Sequence, residues 1–567
     1  MASNKHVHAT IDPITSEVIR NSLESTTEEM GLTVQKLAHS LIFGECKDFS
    51  VGIFDAEAQA VAFAQYTPGH QGGMQTSIQA IMREIPKEEM FPGDVIMMND
   101  PYRGGLHSQD LTLCSPIYYQ GQLIMFAACV AHRLDMGGMT PGSYCPQATE
   151  IYQEALRFPP TKLVEKGEMR DDILRILLTN VRLPEDNLGD LQAQIAAVRG
   201  AEKGVKRVVD RYGLSTFLAS VEGILDITER RARDEIEKIP DGIYEYTDHI
   251  DHDGITDRVY RLHVSVEIQG SDVSIDFSGS DEQAPGFINS PYSLTKSNSY
   301  VAFMFWLDPS IPKNQGLIRP IRVSAPLGTI FNPRFPAPVS GATTEAGGRV
   351  RELVIGALSQ AVPERAIAGW SHTYLAVYLS GVDPRTGKKF IHLPLDGLAI
   401  GGGARAHADG YMASNPASSN MLIPNMEILE QHCPIRYLKR EIPIDAGGDG
   451  KFRGGGGLEV EWEILSPMTL TLMSSRREYP PPGFLGGTDG GPSGAWIWRA
   501  QEKQEIKLPQ KITGVTLSKG DRLRIRTAGG GGYGDPKDRD RELVKNDIRL
   551  GFVSLDKAKN IYGLDTA

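Results

Sequence analysis

An α+β fold, multi-lobed and built on mixed sheets, is what this 567-residue sequence predicts. Three observations carry that expectation. The chain is too long for one ordinary hydrophobic core, so it should divide into lobes. Apolar residues recur at helical spacing in a tract that ends by Pro240, but alternate with a period of two in several stretches beyond it. Strand-like runs are joined by hairpin turns rather than by regularly spaced helices, which argues against a repeating βαβ array. The expected division is a chemistry-bearing α+β lobe over 1–240, with the helical segment, and a β-rich lobe over 241–567 with glycine-rich loops.

Taken in order, Asp12-Pro13 reads as an N-cap and first-turn proline. They open a helix to which Ile14, Val18 and Leu37 give apolar positions and which Gly31 should interrupt. From Asp48 to Ala131, short apolar runs broken by Gly and Pro indicate a mixed sheet with functional loops. Ile173, Leu174, Leu177 and Leu178 make one helical stripe, and Leu191, Ile195 and Val198 a second. Beyond the Tyr212-Gly213 break, Phe217, Val221, Ile224 and Ile227 continue in helical register. These stripes read as core packing. Leu262, Val264, Val266 and Ile268 then alternate, and a Gly270-Ser271 turn leads to Val273, Ile275 and Phe277, a hairpin. Leu458, Val460, Trp462 and Ile464 alternate similarly, as do Leu523 and Ile525.

Three glycine-rich stretches, 401–403, 454–457 and 529–532, could bring N–H groups to an anion or permit tight turns. None has the lysine of a P-loop or the dinucleotide fingerprint, so no nucleotide or cofactor site is expected here and turns are favoured. The net charge of −12 argues against a nucleic-acid or anionic-membrane partner. Met1 to Thr10 lacks a secretory pattern, and the apolar runs Leu123–Ala131 and Tyr300–Leu307 are too short to span a bilayer. The five cysteines, Cys46, Cys114, Cys129, Cys145 and Cys433, lack C-x-x-C spacing and read as small buried hydrophobes in a reducing cytoplasm.

The chemistry concentrates on one hairpin. His107 and Asp110 precede the run Leu111–Tyr119, His132 follows the run Leu123–Ala131, and Gln120-Gly121-Gln122 is read as the turn. Antiparallel pairing about Gly121 sets Asp110 opposite His132. His107 needs a bend to reach the same point, which Gly104-Gly105 can supply. Two imidazoles and a carboxylate suit a divalent ion (zinc, manganese or iron) with a position left for water or substrate. The competing reading is that each is a hydrogen-bonded structural residue.

Several segments in order then resemble one family. Glu45–Asp55 (ECKDFSVGIFD), Asn99–Asp110 (NDPYRGGLHSQD), Ala131–Ser143 (AHRLDMGGMTPGS) and Gly529–Pro536 (GGGGYGDP) are similar to the B subunit of ATP-dependent hydantoinases and 5-oxoprolinases. Between them lie Glu154, Asn180-Val181-Arg182 and Gly189-Asp190-Leu191, also in the family's order. Caprolactamase and the acetone and acetophenone carboxylases are relatives. The resemblance implies a metal-containing B subunit of an ATP-dependent cyclic-amide hydrolase, acting on a hydantoin, 5-oxoproline or lactam. A ketone carboxylase subunit is the alternative, and a non-catalytic scaffold for the partner a third reading. The implied partner is an A-type subunit carrying ATP with magnesium, in an (αβ)2 assembly, with bicarbonate as a further co-substrate. The implied ligands are His107, Asp110 and His132, with Asp48 added as the fourth. His70, within His70-Gln71-Gly72-Gly73, and Asp135 and Arg133 are candidates for substrate contact, catalysis or support of the imidazoles. One departure stands out: Cys46 occupies a position where the family usually has arginine, which hints at a different substrate.

Overall fold

The computed structural model describes residues 12–64, 66–417 and 419–564, and its helices and mixed sheets make an α+β fold. Met1 to Thr10, read above for a secretory pattern, lies outside the described residues. Asp12 caps helix α1 (Pro13–Leu37) by accepting the Thr15 N–H. Two details of α1 differ from expectation. Its buried apolar positions are Ile19, Leu23, Met30 and Val34, while Ile14, Val18 and Leu37 are exposed. Packing against the long helix α5 (Pro184–Tyr212), not apolarity alone, selects the inner face. Gly31 does not interrupt the helix either; a Cβ there would lie 2.1 Å from the Tyr66 ring, so glycine admits that ring.

The first sheet has seven strands: β1 (Phe49–Asp55), β2 (Ala60–Phe63), β3 (Val95–Met98), β4 (Asp110–Tyr119), β5 (Gln122–His132), β6 (Thr161–Glu165) and β7 (Glu168–Met169). Their spatial order is β2-β1-β5-β4-β3-β6-β7. Both faces are covered. Met125, Ala127, Cys129 and Ala131 of β5 join the core beneath α1 and α5, whereas Phe126, Ala128 and Val130 join one beneath α3 (Gln71–Glu84). That double burial is why the run reads as continuously apolar. The short α2 (Leu41–Gly44) leads into β1, and α4 (Asp171–Asn180), α5 and α6 (Leu214–Ile236) form the helical tract. Gly213, at φ 81°, breaks α5 from α6 as expected, although Ile227 is exposed.

A second sheet follows in the order β11-β10-β9-β8, from β8 (Gly242–Ile250), β9 (Tyr260–Gln269), β10 (Asp272–Asp276) and β11 (Ile321–Ser324). The β9–β10 hairpin turns at Gly270-Ser271 and buries Leu262, Val264, Val266, Val273 and Ile275. Helix α9 (Ala346–Ala361) packs on β8 and β9; α7 (Tyr292–Met304) lies against α9, and α8 (Gln315–Ile318) against α6.

The rest of the chain forms two further sheets. One runs β13-β12-β16-β19, from β12 (Ala376–Val382), β13 (Lys389–His392), β16 (Met468–Met473) and β19 (Lys511–Leu517). The other runs β14-β15-β20-β17-β18, from β14 (Ile435–Glu441), β15 (Glu459–Ile464), β17 (Gly494–Arg499), β18 (Gln504–Lys507) and β20 (Arg522–Arg526). Val377, Leu379, Leu470 and Leu472 meet Val460, Trp462, Leu523 and Ile525 in one core between them. Helices α10 (Met426–His432), α11 (Arg541–Leu550) and α12 (Leu555–Asn560) complete the described elements. Beyond residue 241 the packing thus fills two principal cores, one under α9 and one between the last two sheets.

The glycine stretches are neither anion cradles nor simple turns. Their backbones lie directly on one another: Gly530 N–H donates to the Gly455 carbonyl, Gly455 to Gly402, and Gly448 to Gly530. A Cβ on Gly455 would sit 1.8 Å from the Tyr411 carbonyl, and one on Gly530 2.0 Å from that of Gly402. Because these amides are paired within the layer, they are not free to cradle phosphate. All five cysteines are buried and free, and among the described residues no helix is long and apolar enough to cross a membrane.

Candidate metal centre and its cavity

Three neighbouring strands end together and bring the polar residues to one place. Asp110 begins β4 and His132 ends β5, directly opposite in the ladder. Asp48 immediately precedes β1, and its carbonyl accepts the His132 N–H at 3.1 Å. Leu111, Ala131 and Phe49, one residue along, all face the α1 and α5 core. Strand alternation therefore sends Asp110, His132 and Asp48 to the opposite face, beside α3. His70 reaches them from the 3-10 turn Pro68–His70 at the start of α3.

The expected hairpin is present, with one difference at its tip. The turn is two residues, Gln120 and Gly121, both at positive φ, and Gln122 already belongs to β5. Tyr118 pairs with Leu123 but Ile117 with Met125, so Ile124 is an extra, bulged residue. Without that bulge a two-residue turn would set Asp110 opposite Ala131. His107 is aimed by a bend, as expected: its carbonyl accepts the Asp110 N–H at 3.0 Å, and Gly104 upstream adopts φ 133°.

Candidate ligand atoms of His107, Asp110 and His132 lie within 4.8 Å of one another, all on buried residues. His107 Nδ1 is 3.3 Å from Asp110 Oδ2, and His132 Nδ1 is 3.5 Å from Asp110 Oδ1. Both Asp110 oxygens and His107 Nδ1 lack hydrogen-bond partners although buried. The far side of each ring is held: the Tyr144 hydroxyl lies 3.3 Å from His107 Nε2 and the Tyr378 hydroxyl 3.5 Å from His132 Nε2. Buried, unpaired carboxylate lone pairs between two oriented imidazoles are what a divalent cation would satisfy. His70 Nε2 lies 3.8 Å from Asp48 Oδ1 and 3.9 Å from Asp110 Oδ2, so it sits between the two carboxylates.

Burial dominates the electrostatics. Desolvation pushes the His107 pKa down to about 4, against the pull of Asp110. Desolvation also opposes ionisation of Asp110, but the charges of His107 and His70 outweigh it and hold that carboxyl at about 2. Asp48, desolvated by burial, is raised. His132 is raised too: burial opposes its protonation, and the Asp110 carboxylate 3.5 Å from its Nδ1, together with the charge of Asp48, overcomes it.

The other expected site residues fall elsewhere. Asp135 accepts from the Gly142 and Arg182 backbone N–H groups and pairs with the Arg182 guanidinium at 2.9 Å, so it fastens the 135–143 loop. Arg133 donates to the Asn187 carbonyl and to Gln194, tying the end of β5 to α5. Gly72 and Gly73 admit Ser297 and Leu106, where Cβ atoms would approach within 2.7 and 2.4 Å. Cys46 is buried in the core, and burial raises its thiol pKa.

Asp48, His70, His107 and His132 open onto a cavity whose empty space, counting its mouth open to solvent, is about 710 Å³. Leu294, Leu375, Leu398 and Met421 supply apolar wall, Thr343 stands beside Tyr144, and Asn298 and Arg351 add a further polar pair. Sequence reasoning missed Tyr144, Tyr378 and Arg351. Tyr378 sits in an ordinary strand pattern and leaves no signal, and Tyr144 lies one residue past a family-like segment. Arg351 had a readable one: it stands in Ala346–Leu358, a helical run whose apolar positions leave no polar face.

The hydantoinase B/oxoprolinase family model matches residues 12–536. Caprolactamase subunit beta of Pseudomonas jessenii is 34% identical over 563 residues, 98% of this chain and 96% of that protein. The crystal structure of ATP-dependent caprolactamase from that organism superimposes with a TM-score of 0.93 at 32% identity, covering 98% of this chain and 97% of the other. The 5-oxoprolinase of Dictyostelium discoideum is 28% identical over 538 residues, 94% of this chain but 41% of that protein. An acetone carboxylase in its nucleotide-free structure shares the fold, with a TM-score of 0.91 at 21% identity over 98% of this chain and 80% of its own.

Proposed function

The chain belongs to the hydantoinase B/oxoprolinase family, and from that premise we propose that it is the metal-containing subunit of an ATP-dependent hydrolase that opens a cyclic amide. The ring is a hydantoin, 5-oxoproline or lactam, and an A-type subunit supplies the ATP site, with magnesium, in an (αβ)2 assembly docked on the β-rich 241–567 part. One observation carries the reading: the buried His107, Asp110 and His132 converge beside the cavity, with both Asp110 oxygens unpaired. These three would hold a zinc or manganese ion, with Asp48 at the rim as a fourth ligand. When bound, such an ion supplies Lewis-acid polarisation of the ring carbonyl.

The chain's own residues supply the rest. Tyr144 and Tyr378 hold the imidazoles in orientation. His70, between two carboxylates, is placed to hold or hand on a proton at Nε2. The leucine wall keeps bulk water from the reacting carbonyl. An unstrained ring amide is a poor electrophile, so phosphorylation by the partner gives ATP a role, and the occupied amides of the glycine layer agree with an ATP site elsewhere.

The test is to purify this chain with its A-type partner, supply ATP, magnesium and bicarbonate, and offer a panel of cyclic amides and ketones. A ring-opened amino acid is the expected product; labelled carbon in a new carboxylate would instead make the chain a carboxylase subunit. Turnover that survives both His107→Ala and His132→Ala would sink the catalytic reading.

A further inference from the structure

Among the described residues the cavity is lined by one buried cation, Arg351, that has no ion-pair partner. Arg351, in the second turn of α9, is 2% exposed and lines the same cavity as His107 and His132. Its guanidinium carries a permanent charge and five N–H donors. One nitrogen donates to Asn298 Oδ1 at 2.8 Å and another to the His372 carbonyl at 3.0 Å, while Nε has no partner. Both acceptors are neutral. Among the described residues no carboxylate lies within ion-pair distance of it, whereas Arg349, two residues earlier, pairs with Asp248 at 2.8 Å. Burial lowers the Arg351 pKa to about 10, against the opposing pull of Tyr374 in the same lining.

The position is built rather than incidental. Asn298 is fixed by donating to the Gly347 carbonyl, and Gly347 lets α7 approach, since a Cβ there would meet Leu294 at 2.5 Å. The lining of the cavity also includes the apolar side chains of Leu294, Leu375 and Met421. A ligand that satisfies both the imidazoles and Arg351 carries a reacting carbonyl, an apolar body and an anion. The guanidinium fork matches a carboxylate in bidentate geometry. Among the described residues Arg351 is also the sole lysine or arginine in the lining, which suits a monoanion better than a phosphoryl dianion.

We propose that Arg351 is the anion anchor of this cavity and that the cyclic amide processed there carries a carboxylate. The inference rests on the hydrolase reading of the cavity and narrows its substrate class. Hydantoins and lactams without an acidic group would be poor ligands, and Arg351 would act on binding, not on bond cleavage.

The experiment measures binding to the complex with its A-type partner by calorimetry, without ATP, using matched pairs: 5-oxoproline against 2-pyrrolidinone, and hydantoin-5-acetate against 5-methylhydantoin. Inorganic phosphate and bicarbonate are run alone. At least one carboxylate ligand should bind tenfold or more tightly than its neutral twin. Arg351→Met should abolish that preference with metal content unchanged, and Arg351→Lys should keep part of it. No preference in any pair, or a preference that survives Arg351→Met, overturns the proposal. So does Arg351-dependent binding of phosphate or bicarbonate that exceeds that of the carboxylate ligands. The wild-type pairs decide the matter even if Arg351→Met fails to fold. Because binding is read without turnover, absence of ring opening on later addition of ATP counts against the hydrolase reading separately.

Discussion

Asp110 is the pivot of the site because both its oxygens are buried and neither finds a hydrogen-bond donor. Removing either imidazole beside it should therefore empty the centre: His107→Ala or His132→Ala is expected to lose stoichiometric metal, measured by elemental analysis, together with turnover. Tyr144→Phe is the subtler variant. It leaves the ligands in place but frees His107 Nε2, and the loss of such support costs roughly 10- to 100-fold in metal affinity or activity. Glu154 gives a pH signature away from the ligands. Its carboxyl accepts the Val339 and Ser340 N–H groups at 2.9 and 2.7 Å and so anchors the loop that carries Thr343. Desolvation raises its pKa to about 7. A folded pKa above the unfolded value means that stability from the protonated form is full below about 4.5 and lost as pH rises through about 7. The difference between the wild-type and Glu154→Gln stability profiles should therefore change by up to ~3 kcal/mol across that window, read by denaturant unfolding; parallel profiles would refute it.

At the scale of elements, the hairpin and the glycine layer teach opposite lessons. Symmetry about Gly121 led to the correct Asp110–His132 pairing by way of a three-residue turn that does not exist. The true route is a two-residue turn plus a bulge at Ile124, and the two constructions give the same register because each adds one residue to the same side. The glycine stretches were legible only as glycine-rich. What they do, stacking backbone on backbone across segments separated by dozens of residues, has no local pattern. Gly530→Ala is accordingly expected to prevent soluble folding, since its methyl would lie 2.0 Å from a carbonyl oxygen. Gly200→Ala, on the exposed side of α5 with open space around it, should instead raise stability by ~1 kcal/mol in a thermal melt.

For the molecule as a whole, the cavity is shared between regions far apart in the chain. The first sheet contributes Asp48, His107 and His132, α7 and α9 contribute Asn298 and Arg351, and the segment after 370 contributes Tyr378 and Leu398. No isolated portion of the chain carries the complete lining, so truncation at residue 241 should abolish ligand binding even where the first sheet remains folded. The expected stoichiometry follows from the proposed division of labour. This chain alone should bind metal yet show no ATP-dependent ring opening, and activity should appear on adding the A-type partner at a 1:1 ratio; sedimentation of the active complex then gives the assembly.

The sequence by itself determined the α+β class, the helical tract, the β9–β10 hairpin and the three candidate ligands. Those features rest on spacing within a few tens of residues, where periodicity and turn chemistry speak directly. Only the tertiary structure decided which face of α1 is buried, why the glycines stack, that Asp135 and Arg133 brace loops and helices, and that Arg351 lines the cavity with no carboxylate partner among the described residues. Each of these depends on partners that the chain brings near only by folding. A charge or a missing side chain takes its meaning from what stands opposite it, and one-dimensional spacing does not record that.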